Sequence, residues 1–270
     1  MINHNYIRNC LREHRLLIGF SFIFVGLFQY LIIDLLVSLN FVSIVTNLIK
    51  QLPPQIQKFI SEGFFAQFSL QGAMAFGYTH PLVLIVLSMV AIQIPAKRIS
   101  GEIESGAMEI FAALPVKRTE LALNLILFST IALFVIAMAT IAGSVIGFMI
   151  YPDSRVVSLS KFVFTAVNLW ALMVCISSFS MMISSWFNEG GKTVMVSASI
   201  IILFYFLDYF VKLSDSMQFL KPFILFSYYN AVKTITESNG VILNIFILLI
   251  LSLVFYTIGV IRFKKRDIPG

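Results

Sequence analysis

From Leu16 to Leu39 the sequence runs through two dozen residues with a single charge, Asp34. A stretch that long and that apolar fits a bilayer as a helix and fits little else, because a spanning helix satisfies all of its backbone groups internally. Five further runs of the same kind follow. They cover 73–96, 121–150, 162–187, 193–211 and 241–261. The composition agrees: 59% of residues are hydrophobic and only 12% charged, outside the range of soluble globular domains. The chain therefore reads as an all-α integral membrane protein, one membrane domain over 1–270 with six transmembrane helices. Signal-peptide cleavage is excluded because the first run is too long for an h-region and lacks a small-residue site.

Shorter amphipathic pieces are expected between the spans. In 1–15, Tyr6, Ile7, Cys10 and Leu11 oppose Arg8, Arg12 and Arg15, the pattern of an interfacial helix lying on the membrane before the first span. After Pro53-Pro54, Ile56, Phe59, Ile60, Phe64, Phe65 and Phe68 repeat at near-helical spacing and predict a second surface helix. Residues 219–232 are apolar and aromatic enough to re-enter the membrane edge. Pro81, inside the second span, is tolerated if a neighbour satisfies the carbonyl it frees. In the third span Ala139, Gly143 and Gly147 form a small-xxx-small face for close helix packing. The fourth carries Ser177, Ser178, Ser180, Ser184 and Ser185, suited to interhelical hydrogen bonds or to a polar lining.

Several chemistries lose support. Cys10 and Cys175 do not make a disulfide framework, and His4, His14 and His80 lack a second ligand at metal spacing. The Gly-Gly-Lys-Thr run at 190–193 is not a phosphate loop, since Trp186 stands where the motif requires glycine and a membrane helix precedes it in place of a strand. No metal, cofactor or catalytic set is predicted.

Six spans put both termini on one side. The segments on that side hold twelve of the 19 Lys and Arg residues and the opposite segments seven, over a greater length, which places both termini in the cytoplasm. The same count puts the charged segment Lys97 to Glu120 there. Read as a helix over 99–114, it aligns Ile99, Ile103, Ala107, Ile110 and Leu114 on one face with Glu102 and Glu109 beside them, and Pro115 ends it.

This segment, GEIESGAMEIFAALPVKRTEL, resembles the corresponding loop of ABC-2 type ABC transporter permeases. That loop commonly carries Glu, a second Glu two residues on, Gly, a further Glu, and a closing Leu-Pro with a basic residue. The matching positions are Glu102, Glu104, Gly106, Glu109, Leu114, Pro115 and Arg118. The resemblance implies a non-catalytic subunit of an exporter in a bacterial or archaeal cell (inner) membrane, working as a homodimer or heterodimer of permeases. It implies a cytoplasmic coupling helix docked on a separate ABC ATPase that binds the ATP, with Ile103 and Ile110 as apolar anchors beside the motif residues, and the 188–192 turn as a minor second contact. Two alternatives stay open: an ion-gradient-driven secondary transporter, for which Asp34 and Asp208 would be the intramembrane carboxylates, and an ABC-2 permease serving metalloenzyme maturation. Substrate identity is not legible.

Overall fold

A computed structural model describes residues 3–51, 53, 70–108, 117–152, 157–236 and 240–266. Six of its helices are long and apolar enough to cross a membrane. The first, α1 (His4–Ser38), is capped by the Asn3 side chain, which accepts from the Tyr6 N–H at 3.1 Å. It runs unbroken, so the residues expected to form a separate surface helix are the opening turns of the span. Nothing in the sequence stops it: Tyr6, Cys10, His14, Ser21, Val25, Gln29, Ile33 and Leu36 form one continuous buried stripe. After Asn40, at φ 48°, comes α2 (Phe41–Lys50). The predicted surface helix at 56–68 lies outside the described residues.

The second span is two helices, α3 (Leu70–Thr79) and α4 (Pro81–Ala96), separated at His80. His80 has left helical geometry, its ring accepts from the Leu82 N–H at 3.2 Å, and Pro81 begins α4 at a position where a missing N–H costs nothing. The break takes the Leu82 N–H from the Tyr78 carbonyl. Tyr229 replaces it, its hydroxyl donating to that oxygen at 3.0 Å, so a neighbouring segment satisfies an acceptor that the break at His80 frees; the carbonyl that Pro81 itself leaves without an N–H is that of Gly77, one residue earlier.

Then follow α5 (Arg118–Ile150), α6 (Leu159–Ser184), α7 (Gly190–Leu213), two short 3-10 segments (Asp215–Phe223 and Leu225–Tyr228), α8 (Ala231–Thr236) and α9 (Val241–Lys265). The described residues contain no strand. Helix α6 is the axis of the bundle: 78% of its apolar window is buried, against 22% for α1, α7 and α9, and it packs on α4, α5, α7 and α9. Ser177, Ser178, Ser180 and Ser184 are buried, and Ser180 donates to the Ile92 carbonyl of α4 at 2.9 Å. The crossover after α7 folds back on the bundle, burying Ile224, Leu225, Phe226, Tyr229, Ala231 and Ile235 mainly against α3, α6, α7 and α9.

The small-residue face of α5 fixes its distance to α1. A methyl group at Gly143 would lie 2.1 Å from the Gly26 carbonyl oxygen, and one at Gly147 would lie 2.9 Å from Ile33. Only glycine permits that approach. The opposite behaviour is seen between α4 and α7, where a cleft of about 650 Å³ is lined almost wholly by apolar groups, among them Leu84, Ile85, Met89, Ile201 and Ile202.

Several helices outreach the apolar layer. The 33-residue stretch from Gly72 to Glu104 would measure roughly 50 Å at 1.5 Å per residue if it were straight helix, against about 30 Å of hydrocarbon, and the break at His80 leaves it longer than a span needs. Its charged end from Lys97 onward, like the turns of α1 before Leu16, is the part whose composition least suits that layer. Both intramembrane carboxylates sit near the other end and are locally satisfied. Asp34 accepts from the Tyr151 hydroxyl, and Asp208 accepts from Ser227 at 3.1 Å and pairs with Lys212.

Candidate coupling site

Pro95 has no N–H to give the carbonyl one turn before it, and the ladder relaxes into a π turn over Lys97–Gly101 before helical geometry resumes at Glu102–Glu104. Arg98 lies within that turn, on the face that continues the buried Leu87, Ala91 and Ile94 of α4. Its side chain is 2% exposed, with the guanidinium 2.6 Å from Glu102 Oε1, 3.1 Å from Glu13 Oε1 and 4.9 Å from the Tyr6 ring centre. Two carboxylates and an aromatic face on one buried guanidinium clasp the end of the second span to the first turns of α1. Burial pushes the Glu102 carboxyl up to about 7; Arg98 pulls it back and Glu13 adds to the push.

A second set of bonds ties the same segment to α7. Ser100 Oγ lies 2.7 Å from Thr193 Oγ1 and donates to the Ser184 carbonyl at 3.2 Å. The backbones then approach closely: a methyl at Gly190 would be 3.2 Å from Gly101 Cα. Glu104 Oε2 accepts from the Gly190 N–H at 2.8 Å, placing a carboxylate at the start of a 24-residue helix, where the macrodipole favours it. The 188–192 segment is thus a turn only to Glu189, with Gly190 already helical.

Ser105 and Gly106 end the helix. Gly106 takes φ 74°, a left-handed conformation suited to glycine at a helix C-terminus, and its N–H returns to the Ile103 carbonyl at 3.1 Å. The single helix expected over 99–114 is therefore not present as such: its first turns continue the second span and the chain turns at 105–106. Ile103 is buried, Glu104 is exposed, and Met108 packs under the segment beside Tyr6, Leu121 and Phe263. Glu109, Ile110, Leu114 and Pro115 lie outside the described residues. Arg118 opens α5 and donates to the Arg266 carbonyl, while the Arg266 guanidinium donates to Ser184 O at 3.0 Å and to Asn188 Oδ1.

A cavity of about 800 Å³ opens on this face, walled by Asn9 and Glu13 of α1, by Gln93, Lys97, Glu102 and Glu104 of the second span, and by Gly190 and Val194 of α7. Sequence reasoning missed Tyr6, Glu13, Thr193 and Arg266. Glu13 carried a signal, being an acidic residue among Arg8, Arg12 and Arg15, three positions beyond the buried Cys10. The register shift of the π turn carried none.

The family model for the ABC-2 family transporter protein matches residues 2–268. The chain belongs to that family. No curated protein matches it. As an ABC-2 chain it is a membrane permease subunit of an ABC transporter, a multi-pass membrane protein of a kind that is generally non-catalytic and associates with an ABC ATPase subunit. The match spans nearly the whole chain and so goes well beyond the loop motif. Within that frame the clasped segment at 97–108 is where the end of the second span meets the other five.

Proposed function

We propose that this ABC-2 permease is the translocating subunit of an exporter in the cell membrane, with both termini in the cytoplasm. Its 97–120 segment takes the stroke of a separate ATPase, which binds the nucleotide, and the permease works as a dimer of such subunits. The observation carrying this reading is the bonding of one short segment to several spans at once: Arg98 to α1, Ser100 and Glu104 to α7, Ser100 to the end of α6, and Met108 beside α5 and α9. A load applied there reaches all of them without passing through a flexible joint.

Within the segment the roles divide. Glu102 and Ile103 are turned into the permease and hold its shape, while Lys97, Glu104 and Ser105 are exposed to a partner. Glu109, Ile110, Leu114 and Pro115 supply the remaining docking surface in this reading, Ile110 as an apolar anchor. Charge distribution supports the orientation, with twelve basic residues on the terminal side and seven opposite.

The test is a pull-down of the ATPase together with a transport assay on Ile110→Asp and Glu109→Lys. Loss of ATPase association in the first and weakened coupling in the second are expected. Full association and full transport in both would refute the docking role. Cysteines placed at positions 105 and 188 should resist labelling from outside intact cells, and one at position 216 should react.

A further inference from the structure

We propose that a cavity at the end of the bundle remote from the termini binds the phosphate of an anionic phospholipid headgroup. The cavity, of about 540 Å³, lies where α7 ends and α9 begins, roofed by the crossover between them. Lys212, Lys221 and Lys233 all line it. Asp208 is the acidic residue among the described lining residues, and it is already engaged, paired with Lys212 and accepting from Ser227 at 3.1 Å. Lys221 has no acidic partner among the described residues, and the described lining residues, three lysines to one aspartate, carry more positive than negative charge. The first turn of α9 borders the same space through Gly240, Leu243 and Asn244, so the positive end of a 25-residue helix lies beside the cavity, with no side-chain cap from the described residues.

The surroundings select a lipid over a soluble anion. Leu213 is 82% exposed, Phe219 70% and Phe223 74%, all on the segments that wall the cavity. Apolar side chains so bare at the end of a span sit against acyl chains, and lysines beside them reach toward the headgroup layer. A phospholipid would seat its tails on these residues and its phosphate among the ammonium groups. This assignment is independent of the coupling reading, because it uses only the opposite end of the molecule.

Native mass spectrometry of the full chain, released from nanodiscs of equal parts phosphatidylglycerol and phosphatidylcholine, tests it. Phosphatidylglycerol is expected to stay bound in preference. Lys221→Gln and Lys233→Gln should each reduce its retention about fivefold, the effect of one lysine near an anionic surface, and together about 25-fold. The charge-matched pair Lys264→Gln with Lys265→Gln, at the other end of α9, should change it less than about twofold. Equal retention of the two lipids, no loss in the Lys221/Lys233 pair, or an equal loss in the control pair would overturn the site. Displacement of the lipid by inorganic phosphate alone would overturn the lipid assignment in favour of a soluble anion.

Discussion

Glu104 and Gly190 are joined by a hydrogen bond of 2.8 Å between a side-chain carboxylate at the end of the second span and the first helical N–H of the fifth. It is the one described polar contact between these spans that reaches the exposed face of the coupling segment.

Glu104→Gln keeps an acceptor but removes the charge, and Glu104→Ala removes both. The bond is exposed, so the alanine variant should lose only about 1 kcal/mol and the glutamine variant less. The informative readout is local. Hydrogen exchange over 190–194 should accelerate in Glu104→Ala and much less in Glu104→Gln, while the global unfolding temperature stays nearly constant. Unchanged exchange in both would show that the contact does not hold the start of α7.

Arg98 is buried between Glu13, Glu102 and Tyr6, and truncating it leaves two carboxylates without their cation. Arg98→Ala should cost about 3–5 kcal/mol, measured by thermal unfolding in detergent. Lys should rescue only in part, because a point charge cannot contact two carboxylates and stack on a ring as a planar guanidinium does. A double-mutant cycle with Glu13→Gln should give a coupling of about 1 kcal/mol or more, and additivity would contradict the clasp.

Glu102 gives the clasp a pH dependence. Its carboxyl titrates near 7 in the folded chain and at about 4.3 when unfolded, so the folded state binds the proton more tightly. Stability therefore rises as pH falls from about 7 toward about 4.3 and is flat above and below that window on this account. Glu102→Gln should lack this slope. Infrared difference spectra should show a protonated carboxyl signal that grows in through neutral pH in the parent and is missing from the variant.

Gly143 and Gly26 set the separation of α1 and α5. Gly143→Ala would place a methyl 2.1 Å from the Gly26 carbonyl and must force the helices apart, at about 1–3 kcal/mol. Gly26→Ala meets its nearest atom, the Ala139 carbonyl oxygen, at 3.1 Å and should cost less. Thermal unfolding of the two variants gives the order directly. An unfolding temperature for Gly143→Ala equal to the parent's would mean that the two helices are not so tightly apposed.

The six spans were legible because apolar length is a local property, and so was the glycine face of α5, because small residues at four-residue spacing have few other uses in a membrane helix. Pro81 pointed to a break, but not to Tyr229, whose hydroxyl bonds the Tyr78 carbonyl 151 positions before it. The coupling segment was legible as a motif and not as a shape. The helical period already sets Glu102 one turn after Arg98, but not that the pair is buried against Glu13 and Tyr6 of α1. Long-range partners such as Glu13 and Arg266 have no periodicity with the segment they hold, so no window on the sequence contains them.

The cleft between α4 and α7 gives the bundle an uneven stiffness. Where α1 meets α5, backbone touches backbone and no further approach is possible, so those two helices travel as one rod. Along α4 and α7 some 650 Å³ of apolar space separates the side chains, and only lipid tails or the helices themselves can fill it. Under the proposed coupling, a displacement passed to Gly190 would meet less resistance there than between α1 and α5. Among the described residues the bundle thus pairs a closely apposed contact, α1 on α5, with an apolar cleft between α4 and α7.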